Sequence, residues 1–60
     1  MLLFLHPIAP SLLCIVFHDG KIVHEESHMI RGREFEEFPE LLHRIMKSFP
    51  ITKIALVNGP

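Results

Sequence analysis

The chain has no tryptophan, no tyrosine, a single cysteine and three glycines, and its formal net charge over 60 residues is −1. Each scarcity excludes something. With Cys14 alone no disulfide can form within one copy, which rules out a disulfide-stapled secreted scaffold and makes a reducing compartment, by default the cytosol, the expected location. With acids and bases interspersed and nearly balanced, the chain offers no basic field to nucleic acid or anionic lipid, so direct RNA binding is not expected. The glycines, scattered at Gly20, Gly32 and Gly59, complete no phosphate-cradling loop. Basic residues are missing from the opening as well. The apolar stretch from Met1 to Phe17 has no positively charged start and is broken by His6, Pro7 and Pro10, which argues against both a signal peptide and a membrane span. Ser11-Leu12-Leu13-Cys14 also lacks the small residue that a lipoprotein cleavage site carries just before its cysteine.

What remains is a globular composition, 48% hydrophobic and 22% charged, in one unit too small for a generous core. Chains of this length bury a modest share of their surface, so further protein around this one is expected.

Leu2 to Leu5 is a short apolar run ended by His6-Pro7, the pattern of a strand covered on both faces in the middle of a sheet. Ser11 to Phe17 and Ile22 to Ser27 flank His18-Asp19-Gly20-Lys21. Asp-Gly between two β-rich runs predicts a hairpin whose type I′ turn needs positive φ at both central residues. In the second arm, strand alternation puts Ile22, His24, Glu26 and His28 on one side and Val23, Glu25 and Ser27 on the other. Its charges mark it as an edge strand, since charge discourages other chains from pairing there.

From Phe35 the period changes. Phe35, Phe38, Leu42, Ile45, Met46 and Phe49 share one helical stripe opposite Glu36, Glu40, His43 and Lys47, which predicts an amphipathic helix over Arg33 to Ser48. Glu40 and Arg44 stand at i,i+4 in the favourable order. Pro39 either kinks that helix or occupies its first position; the stripe running in phase through Phe35 and Phe38 favours the kinked, longer helix. Pro50 ends it. Lys53 to Val57 is a second short β-branched run, and Asn58-Gly59-Pro60 is a turn. A helix between the hairpin and the last strand lets that strand lie parallel to the first. The predicted fold is therefore α/β: a mixed sheet of four strands in the order strand, hairpin, helix, strand, with one helix on one face.

Candidate chemistry is sparse. His24-Glu25-Glu26-Ser27-His28 spells the H-E-x-x-H zinc pattern, which works only on a helix, where residues four apart can reach one metal. On a strand the two histidines are about 13 Å apart along the chain. His6 and His18 end strands, and His43 lies on the polar helix face; none has a carboxylate or cysteine at ligand spacing. Cys14, mid-strand in apolar company, is a core thiol, and Ser11 has no adjacent base. No catalytic residue, metal or cofactor is expected from this chain.

Phe38-Pro39-Glu40-Leu41-Leu42 in the helix and Ala55-Leu56-Val57-Asn58-Gly59-Pro60 at the last strand, following a D-G hairpin in this order, resemble the opening segment of the TsaB family. The resemblance covers all 60 residues but only about the first quarter of a family member. It implies a partial actin-like, RNase H-like lobe, with residues 1–60 as its N-terminal part ending after the fourth strand. It also implies a non-catalytic subunit supporting the catalytic TsaD in the threonylcarbamoyladenosine modification of tRNA. Where ATP-using relatives of the family carry an aspartate and small hydroxyl residues after the first strand, this chain has His6-Pro7-Ile8-Ala9-Pro10. That loop lacks the oxygen ligand and the flexible backbone a metal-phosphate site needs.

The partner expected is accordingly a TsaD-like subunit, with a second copy of the chain as the other candidate, and with neither nucleic acid nor membrane touched directly. The contact expected is the helix flank Glu37, Leu41, Arg44 and Ser48, spaced at i, i+4, i+7 and i+11, with Leu41 as apolar anchor. Two rival readings remain. One is a fragment of an actin-like ATP-dependent enzyme, kinase or glycoprotease, whose phosphate loops lie in other sequence. The other is a zinc hydrolase built on His24 and His28. A strand assignment for these histidines predicts that the chain keeps no zinc after dialysis; stoichiometric zinc that is lost in His24→Ala would overturn it.

Overall fold

A computed structural model describes residues 1–8, 10–29 and 38–57. Four strands and one helix follow in chain order: β1 (Leu2–Ile8), β2 (Ser11–His18), β3 (Lys21–Met29), α1 (Phe38–Ser48) and β4 (Lys53–Leu56). They form a single mixed sheet in the order β3-β2-β1-β4. β1 runs antiparallel to β2 and parallel to β4, and β2 runs antiparallel to β3. The predicted α/β class, four-stranded mixed sheet and parallel return of the last strand are all present. Among the described residues no helix is long and apolar enough to cross a membrane.

The hairpin forms as the Asp-Gly pair demands. Asp19 has φ 52° and Gly20 φ 76°, and His18 pairs with Lys21 across the turn. Positive φ at both central residues matches the right-handed twist of the flanking strands. β3 lies at one edge of the sheet, as its charges indicated.

Three expectations are corrected. β1 does not stop before His6-Pro7 but runs to Ile8, which pairs with Ser11. Proline is tolerated because of where its missing N–H would point. The Leu5 carbonyl accepts from Val57 N at 2.9 Å and the Met1 carbonyl from Thr52 N at 2.8 Å, so odd-numbered residues of β1 turn their backbone toward β4. The β4 ladder ends at Leu5 with Leu56, so Pro7 sits beyond the pairing that would have used its donor. Second, Ile22 does not share the face of His24. A register shift between Val16 and Phe17 sets Ile22 opposite Phe17, and such a bulge re-aims the residues beside it. Third, Met46 is exposed while Leu41 packs against the core: the stripe facing the sheet is rotated toward Leu41. The segment Arg33 to Glu37, including Phe35 and Glu36, lies outside the described residues, as does Asn58-Gly59-Pro60. The described part of the helix runs from Phe38 to Ser48 with Pro39 as its second residue; the expected start at Arg33, and with it the kink at Pro39, lies outside the described residues.

The core is a thin layer between α1 and one face of the sheet. Leu3 and Leu5 of β1, Leu12, Cys14 and Val16 of β2, and Ile45 of α1 are buried, and Met1, Phe38, Leu41, Leu42, Phe49 and Ile51 pack around them. Strand alternation delivers Leu3, Leu5, Leu12, Cys14 and Val16 to the same side. The opposite face carries Leu2, Phe4, Leu13, Ile15 and Phe17, all partly exposed, with no helix over it among the described residues. β1 is thus interior to the sheet, and the described residues cover it on one face, not on both.

Ile45 is the one fully buried residue of the described helix, at 1% exposure, and it ties α1 to β1 and β2. Ile45→Ala should destabilise the chain by about 2 to 5 kcal/mol, the range for a buried aliphatic deletion, measured by chemical denaturation. A change under about 1 kcal/mol would place the helix elsewhere.

Candidate interaction surface

The described residues of α1 that the sequence singled out occupy one flank but differ in environment. Leu41 is half-buried at the core margin. Arg44 leans across to β3, where its Nη2 donates to Glu26 Oε2 at 2.8 Å and to Oε1 at 3.0 Å. Ser48 is exposed in the last turn. Glu37 lies outside the described residues. The i,i+4 partner foreseen for Arg44, Glu40, is therefore displaced by a partner from the sheet.

Glu26 is the centre of this flank. Alternation along β3 turns His24, Glu26 and His28 to the helix side, opposite Val16, Cys14 and Leu12. His28 Nε2 stands 3.2 Å from one carboxylate oxygen and His24 Nε2 3.5 Å from the other. Both ring nitrogens are buried without a directed hydrogen bond, so they add attraction to the carboxylate more than they fix it. Phe49 closes the end of the cluster, its ring 5.1 Å from that of His24. Burial opposes the charge on Glu26, whose side chain is 18% exposed, but the hydrogen bonds and charge of Arg44 and the close contacts of His28 and His24 outweigh it. The carboxyl is held below its ordinary 4.5. The pattern that looked like a zinc motif is in fact a carboxylate flanked by two histidines and closed by an arginine. Among the described residues no group of three or more histidine, cysteine or acidic side chains could hold a metal.

Nucleophilic chemistry finds no support here. Burial, reinforced by the nearby Glu26 charge and only partly offset by Arg44, pushes the Cys14 thiol up to about 11, so it stays protonated near neutrality. His18 and His43 are exposed, with His18 3.5 Å from Asp19, and His6 lies edge-on to Phe4.

Sequence reasoning did not find a second exposed apolar region. On the face without a helix, Ile8, Ile22 and Met29 are exposed beside Phe4, Ile15 and Phe17. An open depression of about 640 Å³ lies at its hairpin end, between Leu2, Phe4, Phe17, His18 and Lys53. On the helix side, α1 lies toward β3, so Ile54 and Leu56 at the β4 margin remain 49% and 64% exposed. The signal was present: runs such as Leu2 to Leu5, apolar at every position, supply two greasy faces, and one helix can cover only one of them. No protein-family model, curated protein or solved structure matches the chain.

The sign of the pH dependence follows from Glu26. Its folded pKa is depressed, so the stabilisation it confers is complete above the ordinary 4.5 and is lost as pH falls through the lower folded-state value. Wild type should exceed Glu26→Gln in stability above that value, by about 1 to 2 kcal/mol for a charge-assisted pair with one half-exposed partner. The two curves should converge in acid. Curves that stay parallel from pH 7 to pH 2 would remove the cluster from the folded state.

Proposed function

We propose that the chain is the opening segment of a TsaB-like, actin-like lobe. Its proposed role is a non-catalytic scaffold in the cytoplasm, supporting a TsaD-like catalytic subunit in tRNA threonylcarbamoyladenosine modification. The observation that carries this reading is the sheet order β3-β2-β1-β4, in which a helix takes the chain from three antiparallel strands to a strand parallel to β1. That is the order in which such a lobe would begin. Of the words that carry the resemblance, Phe38-Pro39-Glu40-Leu41-Leu42 lies in α1 and Ala55-Leu56 ends β4, an order in keeping with this reading. Topology alone does not assign a function, and the scaffold role draws further support from chemistry: the one thiol is buried and protonated, and His6-Pro7-Ile8-Ala9-Pro10 offers no carboxylate where an ATP-using relative carries one.

The partner surface in this reading is the flank of α1: the exposed side of Leu41, the half-exposed guanidinium of Arg44 and Ser48, together with Glu37. Holding Arg44 against Glu26 fixes its orientation before a partner arrives, which lowers the ordering cost of binding. Leu41→Gln should weaken binding to a TsaD-type partner by about 1 to 3 kcal/mol. Because Leu41 also touches the core, Ser48→Arg is the companion variant: it touches only the exposed flank and should weaken binding without moving the melting temperature. Calorimetry with unchanged affinity in Ser48→Arg and Leu41→Gln alike would take this flank out of the interface.

A further inference from the structure

The two edges of the sheet are built differently. β3 closes one edge with Lys21, His24, Glu25, Glu26 and His28 along nine residues, the charged edge that discourages pairing. β4 closes the other with Lys53-Ile54-Ala55-Leu56, short, apolar beyond its first residue, and without proline. Lys53 N and Val57 N are directed at the Met1 and Leu5 carbonyls, at 3.5 and 2.9 Å. By strand alternation the N–H and C=O of Ile54 and Leu56 therefore point away from the sheet, and no described strand lies on that side.

We propose that this edge is a homodimer contact, in which β4 pairs antiparallel with β4 of a second copy about a two-fold axis through Ala55. The register is set by the free groups. Ile54 of each copy faces Leu56 of the other as a hydrogen-bonded pair, so all four outward backbone groups on each strand are used, in four bonds. Ala55 meets Ala55 of the second copy in the closer, non-hydrogen-bonded position, which its small side chain permits. Lys53 falls opposite Val57 of the second copy, so no like charges oppose one another. The side chains of Ile54 and Leu56, 49% and 64% exposed, come together as one four-residue apolar cluster on the helix side of a continuous eight-stranded sheet. Pairing through the β3 edge would instead bring the charged arms of two copies together. The β4 contact is smaller than a standard interface of about 800 Å² per partner, so the dimer separates on dilution. This contact does not use the α1 flank; a further strand of the longer lobe in the scaffold reading would compete with the second copy for the same edge.

Sedimentation of the 60-residue chain between about 10 μM and 1 mM, a span that brackets such modest affinities, should show a reversible shift from one-chain to two-chain mass. Ile54→Lys and Leu56→Glu, both at exposed positions, should each raise the dissociation constant by about tenfold or more with the far-ultraviolet circular dichroism unchanged. An equal mixture of the two variants should recover association, because the register sets the two new charges opposite one another. A single-chain mass at 1 mM, open-ended polymers, a dimer indifferent to both substitutions, or no recovery on mixing would each overturn the proposal.

Discussion

One helix has to serve a four-stranded sheet. The described part of α1 is 11 residues long, about 16 Å at 1.5 Å per residue, and it can shield two or three strands on one face. Its placement is decided at both margins of its buried stripe. Ile45 is buried in one cluster with the inward residues of β1 and β2, while Arg44 and Phe49 engage Glu26 and His24 of β3. The helix is thereby drawn toward the charged edge, and the β4 margin of the same face is left open. Among the described residues, the face without a helix, the apolar β4 edge without a partner strand and the thin core all follow from that geometry.

The Glu26 cluster has a structural consequence beyond its ion pair. A carboxylate on the helix-facing side of an edge strand would be costly if left unpaired; closed by Arg44 and flanked by two histidines, it becomes a polar rim that ends the core on the β3 side. A polar seal at one margin and an apolar one at the other give the molecule a direction. β3 is finished as an outer edge, and β4 is left ready to continue into further sheet. The proposed scaffold role and the proposed edge pairing both use that asymmetry, and a further strand of the lobe would compete with a second copy for the β4 edge.

Much of the fold was legible because short-range chemistry was unambiguous. Asp19-Gly20 between β-rich arms leaves few turns open to it, and the change of period after residue 35 separates helix from sheet. The charges from Lys21 to His28 mark an edge. What was not legible depended on neighbours. Pro7 reads as a strand end until it is known that the β4 ladder stops at Leu5, two residues before it. Ile22 reads as facing with His24 until the bulge is placed. Arg44 has a plausible partner on its own helix, and only the packing angle of α1 brings the more buried Glu26 within reach. Leu41 and Met46 lie on opposite borders of the apolar stripe, and periodicity alone cannot say toward which border the helix rolls. At the candidate site the alternation correctly grouped His24, Glu26 and His28, but nothing in their spacing announced the arginine that joins them.

The central claim is that this sheet is finished at β3 and unfinished at β4, and backbone amide hydrogen exchange tests it most directly. The amides of Leu3, Leu5, Cys14 and Val16 should be the slowest at every concentration, since they sit in the interior ladders under the helix. The amides of Ile54 and Leu56 should exchange quickly in dilute solution and slow as the chain is concentrated. Their protection at high dilution to the level of Leu5, or equally fast exchange at both concentrations, would contradict the account.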